Sequence, residues 1–220
     1  MTADGACVNN ATANVVMDSG TKTVNLTAVS RSDSFGYQCS ATTGAFVGAA
    51  NVLGLSGDDN VTQITLPFAV SHYGTSYTTA WVDTNGYVSF ANPGESRPMS
   101  SGLPGTVAPN AAVYGFWDDF VVDGQASIRT ETLGTAPNRR FVVEWRNVYF
   151  YNTSDRVTFS LVLGEDGSFI TYYSGIDSNL RDRGEMGTVG IENPAGTVAM
   201  QYSNHQILLE NGYIIRFWRP

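Results

Sequence analysis

The stretch 139–176, RRFVVEWRNVYFYNTSDRVTFSLVLGEDGSFITYYSGI, decides the fold. Its runs are rich in Val, Ile, Phe, Tyr and Thr, whose branched or aromatic side chains suit a pleated surface. Apolar and polar positions alternate with a period of two, and no helical period competes with it. NTSD and GEDG separate the runs, and the Asp166–Gly167 pair in the second is a reversal signal. Strands joined by such short turns predict an antiparallel sheet.

The same pattern extends outward on both sides. Downstream, GTVGIEN, TVAMQYS and GYIIRFW read as further strands, with Pro194-Ala195-Gly196 at a reversal. Upstream, VTQITLPFAVSHYG and TAWVDTNGYVSFA read as strands, and Asn85–Gly86 is the strongest hairpin signal in the chain. AAVYGFWDDFVV and ASIRTETLG follow a loop, NPGESRPMSSGLPGTVAPN, that carries four of the eight prolines and is long enough to be functional or to cover a sheet edge. Near the start, ANVVM, TKTVNLTAVS and FGYQCSA suggest early strands. The spacing of turns predicts an all-β fold, a β-sandwich or jelly-roll-like pair of antiparallel sheets. The expected organisation is one domain over 1–220: N-terminal strands over 1–56, too poor in apolar mass for a core of their own, and a sandwich over 57–219.

Composition narrows the function. A net charge of −8 disfavours nucleic acid, which needs a basic patch, and disfavours anionic lipid. No apolar run approaches the roughly 20 residues that span a bilayer, so no membrane insertion is expected. Cys7 and Cys39 fit neither a zinc knuckle nor a redox pair. They form one disulfide or remain two buried thiols, and the extracellular character of the composition favours the disulfide. MTADGACVNN lacks the basic and apolar parts of a signal peptide, and the expectation is a mature secreted fragment.

Chemistry has two candidate locations. The first is AVYGFWDDFVVDG, residues 111–123, with Asp118, Asp119 and Asp123. Adjacent aspartates on a strand point to opposite faces, so Asp118 and Asp119 are not a facing acid pair of the kind that glycoside hydrolysis requires. They read as a strand end, with Ca²⁺ as the functional alternative, because Ca²⁺ takes six to eight oxygen ligands from carboxylates and loop carbonyls. SGDDN, with Asp58, Asp59 and Asn60, supplies the same kind of oxygens. The second location is WRNVYFYN. Tyr149 and Tyr151 fall on one face of a regular strand, opposite Phe150, and Asn147 and Asn152 flank them. Amphipathic aromatics beside amides suit the C–H faces and hydroxyls of a sugar, although aromatics in sheets mostly pack in the core. The two histidines, His72 and His205, sit in no hydrolase motif.

Leu-Pro-Phe, Tyr-Gly, Asn-Gly-Tyr and Phe-Trp-Asp-Asp occur in that order over 63–123, and this part resembles the NIDO-type extracellular domain of nidogen-like proteins and its bacterial relatives. The part from APNRRFVVEWRNVYFY through GTVGIENPAGTVAMQYS is similar to β-rich modules appended to secreted actinobacterial proteases and glycoside hydrolases. The likeness covers about 57–219. It implies an extracellular, noncatalytic β module associated with adhesion or with holding an enzyme near a polymer, and an architectural role for Trp117, Asp118 and Asp119. The expected function is therefore a secreted binding module for an extracellular glycan, with a protein partner as the alternative and a hydrolase using the 91–110 loop and the acidic segment as the third reading.

Overall fold

The computed structural model describes residues 7–9, 29–177 and 179–220. They form strands, turns and irregular loops, and no helix. Two short strands, β1 (Val8–Asn9) and β2 (Val29–Ser30), pair with each other. The others are β3 (Gln38–Thr43), β4 (Asn51–Leu53), β5 (Gly57–Asp58), β6 (Val61–His72), β7 (Thr75–Asp83), β8 (Tyr87–Ser89), β9 (Ala112–Trp117), β10 (Phe120–Val122) and β11 (Ser127–Leu133). After these come β12 (Arg140–Phe150), β13 (Arg156–Gly164), β14 (Phe169–Ser174), β15 (Thr188–Glu192), β16 (Ala199–Asn204) and β17 (Tyr213–Trp218). ANVVM and most of TKTVNLTAVS lie outside the described residues.

Two antiparallel sheets face each other as a β-sandwich. One runs β3-β17-β14-β13-β12-β10-β5, with β11 also pairing β12, and β4 pairing β11. The other runs β16-β15-β9-β8-β7-β6. The segment around Asp118 and Asp119 reads as one strand in the sequence, but it is two. β9 belongs to the six-stranded sheet and β10 to the nine-stranded sheet, so the aspartate pair marks the corner where the chain crosses between layers.

The alternation translates directly into the core. Val157, Phe159, Leu161 and Leu163 of β13 point between the sheets, while Val162 joins a smaller cluster on the outer face. Trp145 lies parallel to Phe159, with ring centroids 5.0 Å apart, and its indole N–H donates to the Asp83 carbonyl across the sandwich at 2.9 Å. Tyr173 donates across the same gap to the Gly115 carbonyl at 2.6 Å. These bonds satisfy the polar tips of aromatics whose bodies are fully buried.

β12 departs from strict alternation. Its pairing with β13 shifts between Trp145 and Val148, and Asn147 takes a left-handed φ of 55°. This β-bulge reverses parity: Phe141, Val143 and Trp145 point inward before it, and Val148 and Phe150 after it.

Irregular segments cover both outer faces. Residues 44–50 lie over the nine-stranded sheet, where Phe46, Val47 and Ala49 pack on Val142, Val162 and Tyr172. Buried Glu144 accepts the Ala49 N–H at 2.6 Å and pairs with Arg146 at 2.7 Å. The proline-rich loop covers the face of the six-stranded sheet rather than its edge. Leu103 packs there on Tyr87, Tyr114 and Trp117, and the Trp117 indole donates to the Arg97 carbonyl at 2.6 Å.

Cys7 and Cys39 form a disulfide spanning 32 residues of sequence. In the chain-entropy view, closing a loop of this size stabilises the fold by about 3–4 kcal/mol. It ties the first described residues to β3, which pairs with the C-terminal strand β17.

Candidate functional site at one end of the sandwich

Four connections meet at one end: β5–β6, the tight β7–β8 turn, the β9–β10 corner and the β12–β13 turn. The expected Asn85–Gly86 hairpin forms there, and Asn85 holds the region together. Its side-chain oxygen accepts the Phe120 N–H at 2.7 Å, and its amide donates to Asp59 at 2.8 Å and to Ser96 at 2.9 Å. Beneath it, fully buried Asp83 accepts bonds from the Asn85 N–H, the Ser96 hydroxyl and the Tyr87 hydroxyl, at 2.8, 2.7 and 2.6 Å. Burial pushes the Asp83 carboxyl up to about 6, partly offset by those hydrogen bonds.

The three aspartates from the acidic segment do not assemble into one ligand set. Asp118 is buried and paired with Arg181, and its Oδ1 also accepts the Asp119 N–H at 2.8 Å. Asp123 is held by Arg156 at 3.0 and 2.5 Å, which draws its carboxyl below the usual range. Asp119, in the corner between β9 and β10 rather than in a strand, turns the other way and meets Asp58 and Asp59. One carboxylate oxygen from each of these three lies within 4.8 Å of the others. The meeting follows from β10–β5 pairing, which sets Val121 opposite Asp58.

Burial, and then repulsion from Asp59, Asp58 and Asp118, raises the Asp119 carboxyl to about 6. Burial and Asp59 raise Asp58 as well. Like charges held this close favour a proton or a cation between them. The three oxygens can supply part of the shell of a hard divalent ion such as Ca²⁺, with carbonyls and water completing it.

The aromatic candidates divide. Asn147 sits in the bulge and donates its amide to the Gln125 carbonyl at 3.0 Å. Half-buried Tyr149 lies against Arg156, whose guanidinium carbon is 5.1 Å from the ring centroid. Tyr151 and Asn152 lie beyond β12, in the turn, and both are exposed. The Tyr151 N–H donates to the Asp119 carbonyl at 2.9 Å, which places this rim beside the acidic triad. Sequence reasoning found both places separately. It did not find Asn85 as their organiser, because Asn-Gly signals a turn and nothing more.

The histidines lie elsewhere. His72 is fully buried among Tyr73, Phe90 and Phe169. Exposed His205 has Nε2 3.0 Å from the Ser100 hydroxyl, which donates to the Met186 carbonyl at 2.6 Å.

The NIDO-related family matches residues 36–213, most of the chain and nearly all of both sheets. The protein belongs to this family, and its fold is that of an extracellular-type module. No match was found among curated proteins or among solved structures.

Proposed function

We propose that the protein is a secreted, noncatalytic binding module that recognises an extracellular glycan at the acidic end of the sandwich. Asp58, Asp59 and Asp119 hold a divalent cation, and Tyr151 and Asn152 form the adjoining rim. The observation that carries this reading is the backbone bond that joins the turn of exposed Tyr151 to Asp119, one of three convergent carboxylates. Sugar hydroxyls complete a calcium shell well, and an exposed phenol ring offers a face to the sugar's C–H groups. The noncatalytic part is supported by the histidines: His72 is enclosed by aromatic rings, and the Ser100 proton is committed to a carbonyl, so His205 donates to Ser100 rather than activating it.

A glycan array read with millimolar calcium and again with EDTA tests the proposal. Binding that needs calcium and falls at least tenfold in Asp119→Asn and in Tyr151→Ala is expected. Binding indifferent to both substitutions would remove the site. The alternative reading is a protein partner. It is favoured by Met99 and Val107, 84% and 74% exposed on a loop beside a cleft of about 550 Å³. Silence across the array, with partner capture lost in Met99→Ser with Val107→Ser, is its signature.

A further inference from the structure

Each arginine among the described residues has an ion-pair, hydrogen-bond or aromatic partner, with the exception of Arg140. Arg216 is nearly as uncommitted. Its nearest carboxylate, Asp166, is 3.5 Å away, and its guanidinium otherwise lies over Trp218 at 5.6 Å. In a chain of net charge −8, two exposed, loosely engaged guanidinium groups on one surface call for a physical account.

Both flank an open cleft of about 350 Å³ on the outer face of the nine-stranded sheet. Its accessible apolar floor is half-buried Ile170, with Val162 fully buried beside it, and Asn138, Ser168 and Asp166 add polar groups. Register sets the dimensions. Arg140 pairs with Gly164 across β12–β13, Val162 with Ile170 across β13–β14, and Ile170 with Arg216 across β14–β17. The two arginines are thus three strand spacings apart across the sheet and two residues apart along it, roughly 16 Å between backbones. Arg139, also at the cleft, is committed to Glu165 at 2.9 and 2.5 Å and to the Pro67 carbonyl at 3.1 Å, and forms a fixed wall. On β17, Arg216 and Trp218 alternate with buried Ile215 and Phe217, which keeps both on the open face.

We propose that this cleft binds a carboxylated polysaccharide, a polyuronate. Arg140 and Arg216 each take one carboxylate through the planar two-point geometry of guanidinium, and Ile170 meets the sugar C–H faces. The spacing exceeds one monosaccharide and suits carboxylates a few sugars apart on an extended chain. The site extends the glycan-binding reading to a charged polymer but uses a separate surface. Arg140 opens β12 and the Asp119-bound turn follows its end, roughly 33 Å away.

Affinity electrophoresis of the full chain in EDTA tests this site independently of the cation. Gels containing polygalacturonate, neutral dextran, dextran sulfate or polyglutamate supply the arms. Retardation by polygalacturonate alone is expected, weakened at least tenfold in Arg140→Gln and abolished in Arg140→Gln with Arg216→Gln. Asp166→Asn, which removes a competing carboxylate, strengthens it. Undiminished retardation of the double variant, no retardation of the native chain, or equal retention by polyglutamate or dextran sulfate would overturn the assignment. Both arginines are exposed, so circular dichroism of the variants should match the parent.

Discussion

Arg181 grips Asp118 with both arms of its guanidinium, Nε at 2.8 Å from Oδ2 and Nη2 at 2.5 Å from Oδ1, across 63 residues of sequence. The carboxylate is 3% exposed, so the corner between the two sheets depends on a neutralised charge. Burial raises its carboxyl above the usual range, and Arg181 is the main opposing influence. Arg181→Met leaves that charge buried without a partner and should destabilise the protein by about 3–5 kcal/mol. Adding Asp118→Asn should recover most of the loss. Urea unfolding of the two variants decides it, and equal midpoints for both would contradict the role given to the pair.

With the proposed cation at the acidic triad, stability should depend on pH and calcium together. Asp119 titrates near 6 in the folded protein, above the ordinary 3.8. The native state therefore takes up its proton first, and in EDTA this group adds stability as pH falls from 7 through 6 toward 4. Calcium competes with that proton, so it should raise the melting temperature at pH 7 and do so less at pH 5. Saturation at a hundredfold over Kd adds about 2.7 kcal/mol. In Asp119→Asn the calcium response should vanish while the EDTA midpoint at pH 7 rises. Calorimetry at the two pH values measures both.

His72 acts with the opposite sign. Burial pushes its imidazole down to about 3 from 6.5, partly offset by the Ala112 backbone, and neither ring nitrogen has a hydrogen-bond partner of normal geometry. Below pH 6.5 the unfolded chain gains a proton that the native core refuses, so stability falls progressively as the pH drops toward 3. His72→Leu removes an unsatisfied polar ring and should stabilise the protein by about 1 kcal/mol at pH 7. The advantage should grow by about 2 kcal/mol at pH 5. Denaturant midpoints that differ by the same amount at both pH values would show that the native imidazole is protonated after all.

Gly86 is required by space and by conformation. Its φ is 84°, and a Cβ there would lie 1.9 Å from the Phe116 carbonyl oxygen. Gly86→Ala should cost about 3 kcal/mol or more, because the hairpin must part from β9. Gly124 has nothing within 4 Å of a built Cβ and no positive φ, so Gly124→Ala should stay within about 0.5 kcal/mol. Thermal melts of the two variants provide the comparison.

Local patterns were readable from the chain, and long-range meetings were not. Alternation in β13 announced which side chains face the core, and Asn85–Gly86 announced its turn, because both are short-range consequences of backbone geometry. The bulge was invisible, since Arg146 and Asn147 carry no glycine or proline to mark it. The role of Arg181 and the convergence of Asp58 and Asp59 with Asp119 depend on which distant strands pair. Nothing adjacent in sequence encodes that choice. The rim tyrosine was visible as an aromatic, but its acidic neighbours were not.

The extra residue at Arg146–Asn147 also acts as a counter. The two halves of β12 are out of phase, so the strand tolerates no change of length between Trp145 and Phe150. Deleting Asn147 would turn Phe150 toward water and Tyr149 into the aromatic centre, and would carry Tyr151 away from Asp119. Core and proposed recognition rim are thus indexed by the same single amino acid, and neither can drift along the chain without the other.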